Sequence, residues 1–190
     1  MPNADVSLFP APIGGVSAYP RNNQWVTIGR VPNTGAINTI GVFKAIIIPL
    51  DLHISAIGFI PDLTGGNALV GVYEYDYINE SIVNKLGEGS GGISAVFTSI
   101  PVDINLCAGL YYFAIKLDTT KALRYSQMEY RPIFSFGSSI PSQYPFVGMA
   151  PGILGPFSSG MPDTIQISNI FASYDSLSEA VFFKTDLSRH

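Results

Sequence analysis

Leu106-Cys107-Ala108-Gly109 runs directly into Leu110-Tyr111-Tyr112-Phe113-Ala114-Ile115-Lys116, seven residues dominated by aromatic and branched side chains. Such side chains fit a pleated strand, and an unbroken apolar run, as opposed to an alternating one, marks a strand covered on both faces. Gly109 can supply the positive φ of a tight turn at its start. The segment therefore predicts the central strand of a sandwich, and the rest of the chain must cover its two faces.

From Gln24 onward strand patterns are dense and helix signals nearly absent. Residues 25–30, 43–48, 54–59, 69–77, 93–98, 110–116, 165–170 and 181–184 read as the main strands, short runs of strand formers bounded by turn residues. Pro32-Asn33-Thr34-Gly35, Asp62-Leu63-Thr64-Gly65-Gly66-Asn67 and Gly87-Glu88-Gly89-Ser90-Gly91-Gly92 read as turns, because Asn and Asp bond their own backbone and Gly accepts positive φ. Eight strands so spaced predict two packed antiparallel sheets.

Pro49-Leu50-Asp51-Leu52-His53-Ile54-Ser55-Ala56-Ile57-Gly58, Val70-Gly71-Val72-Tyr73 and Glu179-Ala180-Val181-Phe182-Phe183 surround the central run. In that order the segments resemble the jelly-roll β-sandwich of bacteriophage virion proteins, including tail-fibre heads and particle-surface proteins. The resemblance spans residues 25–186. It implies an all-β jelly-roll antiparallel β-sandwich, a homotrimer, a place in the virion after assembly in the host cytoplasm, and a major capsid protein or tail component as partner.

Residues 1–23 differ from the single sandwich domain expected over 24–190. Four prolines, Gly14-Gly15 and isolated apolar residues give no period long enough for an element, so this stretch reads as an extended N-terminal arm. Leu8, Phe9, Ile13 and Tyr19 suit a segment lying in a groove, either on a partner or on its own sandwich. A second irregular stretch, residues 131–162, contains six prolines together with Phe146, Met149, Leu154 and Phe157. Excursions of that length in a compact domain usually serve function or a partner, and this one is too apolar for a solvated loop. These eight residues are the candidate partner-binding set.

Composition narrows the function classes. Charged residues are 13% of 190 against 47% hydrophobic, about half the usual charged share of roughly 25%, which suits a chain that hides surface against neighbours. A net charge of -4 with ten scattered basic residues argues against nucleic acid, since phosphate binding rests on clustered Lys and Arg. The longest apolar run, residues 45–50, contains Pro49 and is far below the roughly 20 residues that cross a bilayer. The N-terminus also lacks the basic and apolar regions of a secretory signal, so no membrane partner is expected.

No residue cluster announces a chemistry, so catalytic, metal and cofactor sites are all expected to be absent. Gly87 to Gly92 matches G-x-G-x-x-G, but the dinucleotide reading needs a helix after it, and a strand pattern follows; a hairpin connection is the better reading. Tyr73, Tyr75 and Tyr77 alternate along one strand face beside Glu74 and Asp76. They are candidate glycan-binding residues, because aromatics beside carboxylates can stack on a pyranose and bond its hydroxyls; packing against the chain's own sheet or a subunit seam is the favoured alternative. Cys107, the single cysteine, reads as a buried small hydrophobe. His53 is flanked by apolar residues and should face the sandwich exterior or find a partner at its edge.

Two roles then compete. A capsid decoration or cement protein would grip a lattice through the arm and apolar loops, whereas a receptor-binding head would display a glycan site. The short, proline-stiffened arm and the absence of a heptad shaft favour decoration.

Overall fold

The computed structural model describes residues 25–27, 36–48, 51–76, 78, 82–94, 96–127, 147–148, 154–166, 177–179 and 181–186. Their elements are β1 (Trp25–Thr27), β2 (Ala36–Ile48), β3 (Leu52–Phe59), β4 (Asn67–Tyr75), β5 (Ile82–Gly92), β6 (Thr98–Leu106), β7 (Gly109–Gln127), β8 (Val147–Gly148), a 3-10 turn (Phe157–Ser159), β9 (Thr164–Gln166), β10 (Leu177–Glu179) and β11 (Val181–Thr185).

The strands form two antiparallel sheets. The small sheet has the order β1-β11-β3-β6, and the large one β8-β2-β7-β4-β5-β9 with β10 added to the far end of β7. The chain changes sheet at every step from β1 to β4 and again from β5 to β6 and β6 to β7, while β4 and β5 are neighbours in one sheet. This is the all-β antiparallel sandwich that the turn spacing predicts.

β7 is its centre. It pairs with β2 from Gly41↔Lys116 to Ile48↔Gly109 and with β4 from Ala68↔Leu117 to Glu74↔Tyr111. Every residue from Leu110 to Leu117 is buried. The period of two sorts them: Tyr111, Phe113, Ile115 and Leu117 join the core between the sheets, and Leu110, Tyr112 and Ala114 join a second cluster on the other face. Across the main core the Phe113 ring meets that of Phe183 on β11, centroids 5.7 Å apart. Each such large side chain contributes about 1.5–3 kcal/mol by leaving water.

Several local expectations are corrected. The glycine-rich run 87–92 is not a turn but the second half of β5, and its odd-numbered glycines face β6. A Cβ on Gly87 would stand 2.8 Å from Ile104, and one on Gly89 would collide with the Pro101 carbonyl. The run is glycine-rich because two strands of opposite sheets lie almost in contact there. The described residues between β5 and Thr98 are a connection, and the strand expected over 93–98 begins only at Thr98. β6 alternates strictly between buried and exposed residues; Pro101 is accommodated because β6 is an edge strand, where a missing N–H costs no ladder bond. Gly109 opens β7 without a positive φ, which in the described chain belongs to Gly65, Gly66, Gly155 and Gly160. Cys107 is exposed, because it lies in the short crossing from one sheet to the other, where the Ala108 N–H is satisfied by the Asp51 carboxylate at 2.9 Å.

Candidate functional site

Two groups of described polar side chains stand on opposite outer faces of the sandwich, one around Lys85, Lys116 and Tyr73 and the other at His53. On the large sheet, residues 154–166 cross the outer face as a strap. Leu154, Met161 and Ile165 close over Phe43, Tyr73, Tyr75, Val83, Leu110, Tyr112 and Ala114. Two glycines make room: Gly41 on β2 lies under the Leu154 side chain, and Gly71 on β4 under Met161. Phe43 stacks on Tyr112 with centroids 5.0 Å apart and meets Tyr73 edge-on.

Three side chains rise from the sheet to fasten the strap. The Tyr73 hydroxyl donates to the Pro162 carbonyl at 2.8 Å; burial, then the charges of Glu88 and Asp163, push its ionisation above the ordinary tyrosine range. Lys116 is 3% exposed, and its ammonium donates to the Gly160 carbonyl and to Ser159 Oγ where the 3-10 turn ends. Burial pulls Lys116 below the ordinary lysine range, with Glu88 opposing. Lys85 holds the strap from the side, donating to the Met161 carbonyl at 3.0 Å, to Glu88 at 3.1 Å and to Asp163 at 2.8 Å. The Asp163 hydrogen bond raises Lys85, and Lys85 in turn holds the Asp163 carboxyl below its usual value. A register shift at Val72/Tyr73 sets Lys85 and Glu88 on one face of β5, although they are three residues apart.

On the small sheet, His53 is 2% exposed and its Nε2 lies 2.6 Å from Asp103 Oδ1 on β6. Further along the same face the Phe97 ring stands over Gly58, meeting Trp25 edge-on at 4.7 Å and Phe182 at 5.5 Å. His53 thus finds its partner at the sheet edge, as its flanking residues suggest.

The sequence-derived candidates fall in different environments. Tyr73 is fully buried and Tyr75 is 8% exposed, so neither offers a ring face to a pyranose; both pack on the chain's own sheet. Leu154 is 3% exposed, seated against β2, and Phe157 is half-buried in the strap. Leu8, Phe9, Ile13, Tyr19, Tyr77, Phe146 and Met149 lie outside the described residues. Sequence reasoning passed over Lys85, Lys116 and Asp163. Lys116 had a signal, a cation at the end of a doubly buried apolar run, which must find acceptors; Lys85 and Asp163 had none, since 78 residues separate them.

Among the described residues no group of three or more His, Cys, Asp or Glu could hold a metal ion. What the strap's groups do chemically is to satisfy one another and the backbone of residues 160–162. Protein-family models, curated proteins and solved structures give no match to this chain.

Proposed function

We propose that the chain is a non-enzymatic structural protein of a bacteriophage particle, a decoration or cement protein that grips the particle surface through its arm, residues 1–23, and through apolar residues of the 131–162 excursion. The observation that carries this reading is the strand order. β1-β11-β3-β6 laid against β2-β7-β4-β5 is the interleaving of two Greek keys, which supports a jelly roll, an architecture common in viral capsid and lectin domains.

Fold is shared by many functions, so the use made of the polar groups matters as much. Lys85, Lys116, Tyr73 and Asp163 bind the chain to itself. Decoration is favoured over a glycan-binding head because Tyr73 and Tyr75 are packed away. A homotrimer accords with the low charge of the chain.

The test is retention on purified particles of the full chain and of a variant lacking residues 1–23. Each large apolar side chain of the arm is worth about 1.5–3 kcal/mol if fully covered, and copies around an oligomer multiply through avidity. The full chain should sediment with particles and the shortened one should not, while both should melt alike, because the sequence of residues 1–23 has no period long enough for an element. Equal retention contradicts the anchoring role of the arm, and retention of neither form contradicts the virion reading.

A further inference from the structure

Lys116 ends an apolar run, and its side chain lies under the strap, 3% exposed, a setting in which a lysine is ordinarily paired with an anion. Its hydrogen-bond neighbours are instead uncharged, the Gly160 carbonyl and the hydroxyl of Ser159, whose Oγ is 3.4 Å from Nζ. The other charged and titratable groups on the described elements packed here are engaged with one another or with backbone. Lys85 takes up Asp163 and Glu88, the Tyr73 hydroxyl donates to Pro162, and Asp118, two residues along β7, accepts from the Asn67 N–H at 2.6 Å. Of these, Glu88 acts on Lys116 through its charge, and burial outweighs it.

Ser159 is the outer member of the contact. It is exposed, and the turn that carries it is fixed by its own N–H, donated to the Pro156 carbonyl at 3.1 Å, and by that of Gly160, donated to Phe157 at 3.2 Å. Its hydroxyl donates to the Pro156 carbonyl at 2.7 Å, a bond that rotation of the hydroxyl exchanges for one to Lys116. Gly155 lies beside Oγ, at a distance where a Cβ would stand 3.4 Å away, so no side chain covers the oxygen on that side.

An ammonium brings three donors, more than one carbonyl and one hydroxyl call for. A neutral amine fits the place better, with an N–H for Gly160 and a lone pair for the hydroxyl proton of Ser159, and burial without a paired anion favours that uncharged form. A serine hydroxyl is a weak nucleophile until an adjacent base takes its proton. Here the base is buried and the nucleophile faces outward.

We propose that Ser159 is a nucleophile activated by Lys116, and that it accepts one acyl group per chain from an activated carboxylic ester. Ser159 Oγ bonds to the carbonyl carbon of the ester and its proton passes to Lys116 Nζ. The bond from that carbon to the leaving oxygen breaks, and the proton goes on to the departing alcohol. The products are an ester of Ser159 and an alcohol, with no oxidation and no further co-reactant. This goes beyond the particle role proposed above and does not depend on it, since a stoichiometric modification is compatible with a structural protein.

The test treats the full chain with p-nitrophenyl acetate and locates acetyl groups by mass spectrometry of its peptides. Ser158, also exposed and next in the chain, is the internal reference. Ser159 should be acetylated about a hundredfold faster than Ser158, the scale of general-base assistance, and the ratio should rise with pH as Lys116 loses its proton. Lys116→Arg keeps a donor for Gly160 but cannot act as a base, so it should bring the two serines to the same rate; amide exchange of residues 154–166 shows whether the strap is still fastened. Equal acetylation of the two serines in the parent chain overturns the proposal, as does a Lys116→Arg protein with a fastened strap and the parental rate at Ser159. If Lys116→Arg loosens the strap, the ratio in the parent chain decides, and a ratio that stays constant with pH overturns the proposal.

Discussion

Gly89 on β5 faces the carbonyl oxygen of Pro101 on β6 with no room between them for a Cβ. The two residues belong to opposite sheets, so their approach fixes the spacing of the sandwich on this side. Gly89→Ala should destabilise the fold by about 1–3 kcal/mol, the usual cost of forcing an extra methyl into a packed interior. Gly91→Ala meets nothing closer than Ile100 at 3.4 Å, and loss of glycine freedom in the unfolded chain should make it neutral or stabilising by up to about 1 kcal/mol. Urea denaturation of the two variants checks the contrast, and equal effects would show that β5 can shift away from β6.

That relationship also marks the limit of what was legible in the sequence. β7, β3 and β4 announce themselves, because a strand buried on both faces must be apolar throughout and Leu110–Ile115 has no other use. The glycines of 87–92 misled, because glycine serves turns and close strand contacts alike, and only the partner strand distinguishes them. β6 was hidden by Pro101, Asp103 and Asn105, all on its exposed side. The strap's fastenings join Lys116 to residues 159–160 and Lys85 to 161–163. Contacts so distant in sequence leave no local pattern.

Lys116→Met keeps the aliphatic stem but leaves the Gly160 carbonyl without its donor. An unmade hydrogen bond of this kind costs about 1–3 kcal/mol, and the loss should fall on the strap. Amide exchange of residues 154–166 should quicken while that of β7 stays slow; uniform quickening would mean that the strap and sandwich unfold as one.

The Lys85–Asp163 pair sets a pH dependence with a definite sign. Asp163 is held below its ordinary value of 3.8 by the hydrogen bond from Lys85 and then by its charge, so its contribution is present above that value and is lost as pH falls through the lower folded one. Lys85 is raised above 10.5, chiefly by the Asp163 hydrogen bond, so its contribution is present below that value and is lost as pH rises through the higher folded one. Asp163→Asn should therefore flatten the stability profile at both ends, with little change in salt-screened buffer because the pair is at the surface. Melting temperatures across the acid and alkaline limbs test this, and a profile unchanged at the acid end would contradict it.

Tyr73 and Tyr75 belong to the packing beneath the strap. Tyr73→Ala should cost about 3–5 kcal/mol, as for other large aromatic side chains lost from a core, and Tyr73→Phe about 1 kcal/mol for the bond to Pro162. Thermal melts run beside a glycan array separate packing from recognition. Full stability of Tyr73→Ala together with lost glycan binding would restore the sugar-site reading.

The most direct test of the particle role is a reconstruction of purified phage particles that carry this chain. Density for the two sheets is expected at regularly repeated positions on the outer surface, with the arm of residues 1–23 running onto the underlying shell. Particles without the chain, or density confined to a tail tip, would contradict the decoration role.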